Sequence, residues 1–308
     1  MSFVKYCRVC GKMLLGVKDN KCSKCVDIVY TTPSNKTVEI KQVNNWNTLV
    51  TPKTLDEFTG QEKIKKELKI ILESHNKTGI PVSNILFSGS YGSGKTTLAK
   101  IFSSMLGEYK FLNGDTLKSL EGISGLILID EIHALKTEEF LLSEMDAGRV
   151  TVIGATTSSG TLSGALRSRF INFVLEPYGI PDLVSIIKNA SSNINFKCPE
   201  DIAVEIASRS KLNARISLQL FKRVYDRLIT GYSISWKEDF NIDNDGLDST
   251  DHRYLSYLSD KPVGLQTICS LMGLDRVTVE ETIEPYLLLK GYMIRTPRGR
   301  IINKNRGI

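Results

Sequence analysis

Gly89-Ser90-Tyr91-Gly92-Ser93-Gly94-Lys95-Thr96 is the stretch whose reading decides the fold of this chain. It fits G-x-x-x-x-G-K-[ST], a loop whose backbone N–H groups close around phosphate oxygens. Asn84-Ile85-Leu86-Phe87 leads in as an apolar, strand-like run. Thr97-Leu98-Ala99-Lys100-Ile101-Phe102 leads out as a helix-like one. Strand, glycine-rich turn and helix bring phosphates to the positive end of a helix dipole. In that frame Gly92 and Gly94 let the backbone approach, Lys95 reaches the β- and γ-phosphates, and Thr96 ligates Mg²⁺. A nucleoside triphosphate is therefore the expected ligand.

Downstream, Gly125-Leu126-Ile127-Leu128-Ile129 runs into Asp130-Glu131-Ile132-His133. A continuous apolar run ending in two acids predicts a buried parallel strand with carboxylates at its C-terminal end. An open α/β sheet places its ligands there. Asp130 is positioned to hold Mg²⁺ through water, and Glu131 to polarise the water that attacks the γ-phosphate. A third strand, Val150-Thr151-Val152-Ile153-Gly154-Ala155-Thr156-Thr157, ends in polar residues, with Thr156 the candidate γ-phosphate sensor. Arg167 and Arg169 follow beside a turn; they read either as surface residues or as an arginine finger reaching a neighbouring subunit.

The 308 residues suggest two or three domains, and 41% hydrophobic with 24% charged residues is ordinary for a globular chain. No apolar run approaches the ~18 residues of a membrane span, and the N-terminus lacks a signal-peptide core. The expected location is cytoplasmic, or nuclear or viral in a reducing cell. Net charge is +6 but unevenly spread. Residues 285–308 contain Lys290, Arg295, Arg298, Arg300, Lys304 and Arg306 with no acid, and residues 1–50 hold eight basic against three acidic residues. Basic ends around an acidic centre suit terminal domains that touch polyanions.

Four of the six cysteines form Cys7-x-x-Cys10 and Cys22-x-x-Cys25. Two such knuckles predict a closed tetrahedral Zn²⁺ site that is structural, with a disulfide pairing as the competing reading. Cys198 and Cys269 are isolated and read as packed residues. The polar stretch of residues 31–50 reads as a linker.

Together these segments resemble AAA+ ATPases, and within them the RuvB family of Holliday-junction branch-migration motors. Thr51-Pro52-Lys53-Thr54-Leu55-Asp56-Glu57-Phe58-Thr59-Gly60-Gln61 resembles the family's opening motif over the adenine. Asp130-Glu131-Ile132-His133 and Ile153-Gly154-Ala155-Thr156-Thr157 resemble its Walker B and sensor-1 segments. Leu166-Arg167-Ser168-Arg169-Phe170 resembles its finger segment, Glu176-Pro177-Tyr178 its pocket tyrosine, and Asn213-Ala214-Arg215-Ile216 its sensor-2 motif, with Ala214 where the family has proline. The resemblance implies that ATP is bound by Val50, Pro52, Phe58, Gly60, Gly92, Gly94, Lys95, Thr96, Thr97, Tyr178 and Arg215. It implies that Lys95, Asp130, Glu131, Thr156, Arg169 and Arg215 serve hydrolysis, Arg169 in trans.

Residues 250–308 resemble the family's winged helix. Read alone, they predict a helix–turn–helix and a hairpin, with Leu265, Ile268, Leu271 and Met272 on one helix face and Ile283, Leu287 and Leu288 on another. The Pro297-Arg298-Gly299 turn sets guanidinium groups at a hairpin tip. Arg295, Arg298 and Arg300, with no nearby acid, then read as phosphate-backbone contacts. A protein-binding wing is the alternative. Glu238, Asp239, Asp243, Asp245, Asp248 and Asp251 read as a solvated linker.

The expected architecture is α/β: a zinc ribbon (1–30), a linker (31–50), an AAA+ large domain with a parallel sheet (51–178), a helical lid (179–247) and a winged-helix DNA-binding domain (248–308). The resemblance implies a homo-oligomeric, hexameric ring that translocates or remodels duplex or branched DNA in recombination, repair or replication. One family element is missing. Leu141-Leu142-Ser143-Glu144-Met145-Asp146-Ala147-Gly148-Arg149 runs straight into the third strand, leaving no room for the hairpin that docks the partner RuvA. Dependence on a RuvA-type partner is therefore not expected, and the ribbon offers another route to a recruiting protein. The short connection also resembles RarA and clamp-loader ATPases, which stand as the alternative, with a non-hydrolysing ATP-binding adaptor as a second.

Overall fold

The computed structural model describes residues 5–6, 13–14 and 45–303. Cys7, Cys10, Cys22 and Cys25, expected to form the ribbon, lie outside the described residues, as do Lys304 and Arg306. In the first fifty residues β1 (Lys5–Tyr6) pairs antiparallel with β2 (Met13–Leu14), and α1 (Trp46–Val50) follows. Contacts divide the chain into two units, residues 50–195 and residues 1–49 with 196–308. Among the described residues no helix is long and apolar enough to cross a membrane.

The unit of residues 50–195 contains α2 (Glu62–Thr78), β3 (Ile85–Ser88), α3 (Lys95–Leu106), β4 (Lys110–Asn113) and β5 (Gly125–Asp130). It continues with α4 (Glu139–Asp146), β6 (Val150–Thr156), α5 (Gly164–Arg167), β7 (Ile171–Val174) and α6 (Ile180–Asn193). The strands form one parallel sheet in the order β4-β5-β6-β3-β7. Strand side chains alternate between faces, so a sheet covered on both sides needs apolar residues at every position. Ile85, Phe87, Leu128 and Ile153 enter one core with Leu98 and Phe102 of α3 and Leu68 of α2. Their neighbours Leu86, Ile127, Ile129 and Val152 enter the other, with Leu141 of α4 and Leu166 of α5. The unbroken apolar runs thus become central strands.

Register pairs Ser88 of β3 with Thr156 of β6, and Asn113 of β4 with Asp130 of β5. The C-terminal ends of β3, β5 and β6 therefore open on one edge, where the loop of residues 89–96 leaves β3. The connection from α4 to β6 is as short as expected. α4 ends at Asp146, Gly148 turns the chain at φ 65°, and β6 begins at Val150.

Beyond residue 195 come α7 (Glu200–Ser208), α8 (Ala214–Thr230), α9 (Trp236–Phe240), α10 (Ser249–Ser256), α11 (Leu265–Met272) and α12 (Arg276–Thr278). A π-helical turn (Val279–Ile283) leads into α13 (Glu284–Leu289), and β8 (Met293–Thr296) and β9 (Gly299–Ile302) close the chain as an antiparallel wing. Val263 adds to β9 through two backbone hydrogen bonds with Arg300. Gly299 permits that approach: a Cβ there would lie 2.4 Å from the Val263 carbonyl oxygen. Ile268, Met272, Ile283, Leu287 and Tyr292 form the core beneath the wing. Leu271, expected on the inner face of α11, is instead 52% exposed; it lies one residue off the Ile268–Met272 stripe, about 100° around the helix. Cys198 and Cys269 are buried, as expected.

The acidic stretch before α10 is not the solvated linker that its composition suggests. Phe240, Ile242 and Leu247 between the acids are buried. Lys211 donates to Asp248 at 2.9 Å and also to Asp251, which is 1% exposed. Asp245 accepts from the Tyr292 hydroxyl at 2.6 Å, and its carbonyl from Tyr286 at 2.7 Å. These carboxylates seat residues 241–251 against the turn before α8 and the winged helix.

Candidate nucleoside triphosphate site

The loop of residues 89–96 sits between β3 and α3, with Gly92 and Gly94 at φ 77° and 92°. Both values are strained for a residue with a Cβ. At Gly94 space is equally limiting: a Cβ would lie 2.8 Å from Phe58 Cζ and 2.8 Å from the Tyr178 hydroxyl. A Cβ on Gly60 would lie 3.4 Å from Tyr178 Cε1. The three segments read separately as adenine motif, loop and pocket tyrosine thus converge at Gly94. Gln61, the last residue of the adenine motif, to which the sequence reading gave no role of its own, staples two of them. Its Nε2 donates to the Glu176 carbonyl at 2.8 Å, and its Oε1 accepts from Glu176 N at 3.2 Å. Val50, Phe58 and Tyr178 are buried, while Pro52 and Thr97 are half-buried. Burial pushes the Tyr178 phenol well above its ordinary value and the Asp182 carboxylate adds to this, so Tyr178 stays neutral.

At the phosphate end α3 starts at Lys95 with no acid in its first turn, leaving its N-terminal N–H groups to an anion. Lys95 is 5% exposed and donates to the Ser90 carbonyl at 2.9 Å. Thr96 Oγ1 donates to Asp130 Oδ1 at 2.8 Å, and the same oxygen accepts from Glu131 N at 3.2 Å. Among the described residues no group of three or more His, Cys, Asp or Glu is arranged to hold a metal. Thr96 and Asp130 fit magnesium nonetheless, because that ion takes few protein oxygens and completes its shell with water and substrate phosphate.

Glu131 follows with φ 46°. Its Oε2 accepts from Thr157 N and Oγ1, both at 3.3 Å, and lies 3.2 Å from His133 Nδ1. Thr156 does not make this contact. It is fully buried, and its hydroxyl lies 3.1 Å from His133 Nδ1 and accepts from Ser158 N at 3.0 Å. β6 ends at Thr156, and Thr157, the first residue beyond it, turns both its N–H and its hydroxyl to Glu131.

Arg169 is held within its own chain. Nε and one terminal nitrogen grip Asp146 at 2.7 Å each, and the other donates to the Ala165 carbonyl at 2.6 Å. The guanidinium holds the Asp146 carboxyl below its ordinary value. Arg169 keeps 32% of its side chain exposed, and Arg167 is exposed. Arg215 belongs to the other unit, as the second residue of α8. Asn213 caps that helix, its side chain accepting from Arg215 N and Ile216 N.

The wing departs from expectation. Arg295 and Arg300 are not free of acids. Arg295 Nε donates to Glu284 Oε2 at 2.7 Å; Arg300 Nε donates to Glu284 Oε1 at 2.8 Å and its NH2 to Glu280 at 2.9 Å. Glu284 is completely buried and also accepts from the Tyr254 hydroxyl. A buried carboxylate needs paired charge, and packing of α13 against the wing supplies it. Arg298, at the turn, is exposed and has no acidic partner among the described residues.

Comparison with known proteins agrees with this geometry. Residues 50–149 match the family model described as the Holliday junction DNA helicase RuvB P-loop domain, and residues 244–306 that of the RuvB C-terminal winged helix domain. The chain is 36% identical to the Holliday junction branch migration complex subunit RuvB of Thermotoga maritima, over 82% of this chain and 89% of that one. It is also 36% identical to that of Campylobacter lari, over 87% and 94%. The solved structure of the Thermotoga maritima RuvB Holliday junction branch migration motor superposes with a TM-score of 0.76, covering 83% of this chain and 96% of that one.

Proposed function

This chain belongs to the RuvB family of AAA+ proteins, and we propose that it is an ATP-driven motor that moves duplex DNA through branched junctions. The observation that carries the reading is the meeting of Thr96, Asp130 and Glu131 at the ends of β3 and β5 beside the α3 N-terminus. α3 N–H groups and Lys95 bind the phosphates, and Thr96 with Asp130 holds magnesium. When bound, that ion neutralises charge developing on the phosphoryl oxygens. Phe58, Gly60, Tyr178, Val50 and Pro52 enclose the base. Glu131 accepts the proton of the attacking water, and Thr157, touching Glu131, senses the γ-phosphate in place of Thr156. Arg169 acts on the site of a neighbouring subunit and Arg215 from the lid, in a homo-oligomeric, hexameric ring. Arg298 contacts the phosphate backbone. The test is Glu131→Gln: ATP binding is retained and single-turnover hydrolysis slows, about 100-fold or more. Normal turnover in that variant would remove the assignment.

The short connection from α4 to β6 supports recruitment without a RuvA-type partner. It also suits a clamp-loader-like ATPase. Stimulation by branched DNA alone favours the motor; stimulation only with a sliding clamp favours the loader. Cys7, Cys10, Cys22 and Cys25 carry the remaining proposal, a structural Zn²⁺ site that recruits a protein partner. β1 and β2, which flank Cys7 and Cys10 in sequence, pair as a hairpin would. One zinc per chain, lost in Cys7→Ser, is the expected result of metal analysis.

A further inference from the structure

Among the described residues every hydrogen bond that reaches the Glu131 carboxylate falls on one oxygen. Thr157 donates to Oε2 from the end of β6 through its N–H and hydroxyl, and His133 Nδ1, in the turn after β5, lies 3.2 Å from the same oxygen. Among the described residues Oε1 accepts none. A hydrogen on that nitrogen would give the carboxylate a further donor. The same nitrogen lies 3.1 Å from the Thr156 hydroxyl, whose own position is set by Ser158 N and by complete burial. The imidazole is thus wedged between a fixed hydroxyl and Glu131. Glu131 itself leaves the strand with φ 46°, a conformation that non-glycine residues keep only where surroundings enforce it.

We propose that His133 is a positioning residue for ATP hydrolysis: anchored on Thr156, it holds Oε2 of Glu131 and so turns Oε1 toward the attacking water. This rests on the assignment of Glu131 as the proton acceptor. In the step it serves, the water oxygen bonds to the γ-phosphorus, the bond from that phosphorus to the β–γ bridging oxygen breaks, and the water proton passes to Oε1. His133 neither gains nor loses a proton. Its contribution is orientation, as with groups that aim a reacting or ligating side chain from behind.

Two substitutions in the full chain separate this role from packing. His133→Asn keeps an N–H donor near the Nδ1 position and loses the ring; His133→Phe keeps the ring and loses the donor. With Mg-ATP, His133→Phe is expected to lower kcat about 10- to 100-fold while the KM for ATP holds, and His133→Asn to recover most of the rate. In the Glu131→Gln background His133→Phe should add no further loss. A fast Phe variant with a slow Asn variant would assign His133 to packing and overturn the proposal. So would losses that multiply in the double variant. Unimpaired hydrolysis by Glu131→Gln alone would instead overturn the assignment of Glu131, an outcome distinct from either.

Discussion

Arg300 donates to Glu284 at 2.8 Å, and Glu284 has no exposed surface. Arg295 and the Tyr254 hydroxyl complete the set around the same carboxylate. Removing Glu284 takes that acceptor from the mostly buried Arg300 and the fully buried Tyr254 hydroxyl, and breaking such a buried pair typically costs about 3–5 kcal/mol. Glu284→Ala should therefore destabilise the winged helix by about that amount, and Glu284→Gln by less, since one acceptor oxygen remains. Thermal unfolding followed by circular dichroism checks both.

The same cluster divides the wing arginines. Arg298→Ala is expected to weaken binding to duplex DNA of any sequence and to lower the salt dependence by about one counterion. Its unfolding temperature should stay at the wild-type value. Arg300→Ala should lower the unfolding temperature first. Salt titrations of DNA binding beside thermal scans distinguish the two, and equal loss of DNA affinity at unchanged stability in both would count against the division.

Gly94→Ala meets two obstacles, a positive φ of 92° and a Cβ 2.8 Å from both Phe58 and Tyr178. Moving those rings opens the pocket that they line. Titration with a fluorescent ATP analogue should show affinity lower by about tenfold or more, given about 1–2 kcal/mol of backbone cost alone.

Thr96→Ala removes the hydroxyl that meets Asp130. The expected outcome is hydrolysis that needs a higher magnesium concentration for half-maximal rate, with nucleotide binding in the absence of magnesium unchanged. A magnesium titration of ATPase rate reads this directly, and an unshifted midpoint would place the ion elsewhere.

Lys211 faces Asp248 and the 1% exposed Asp251. Lys211→Met strands a buried carboxylate, at a cost of about 3 kcal/mol or more. Denaturant unfolding should show the loss, and Asp251→Asn in the Lys211→Met background should restore part of it. An additive double variant would mean that the two groups do not interact.

The phosphate loop, the strands that carry Asp130 and Thr156, and the wing hairpin were legible because their signals are local. Glycine spacing, apolar runs and a Pro-Arg-Gly turn each act over a few residues. What the sequence did not show depends on partners brought together by packing. Arg300 and Glu284 are 16 residues apart, and a reading of the tail alone sees no acid. Arg169 and Asp146 are 23 apart, and meet only because α5 and the end of α4 flank the same face. The acidic run of residues 238–251 resembles a solvated linker in composition, yet its apolar residues are buried and its carboxylates accept from Lys211 and Tyr292. Thr156 and Thr157 are the finest case, since sequence pattern does not say which of two adjacent hydroxyls faces Glu131.

By itself the sequence determined the phosphate loop, the buried parallel strands and the wing hairpin, because glycine spacing and apolar periodicity are short-range properties, while its motifs carried the resemblance to the RuvB family. Only the tertiary structure decided which carboxylate oxygen is held, which threonine holds it, and which wing arginine faces outward. Those outcomes follow from burial: a charge or hydroxyl removed from water must find a partner, and the partner is whichever group the packed chain places within hydrogen-bonding reach.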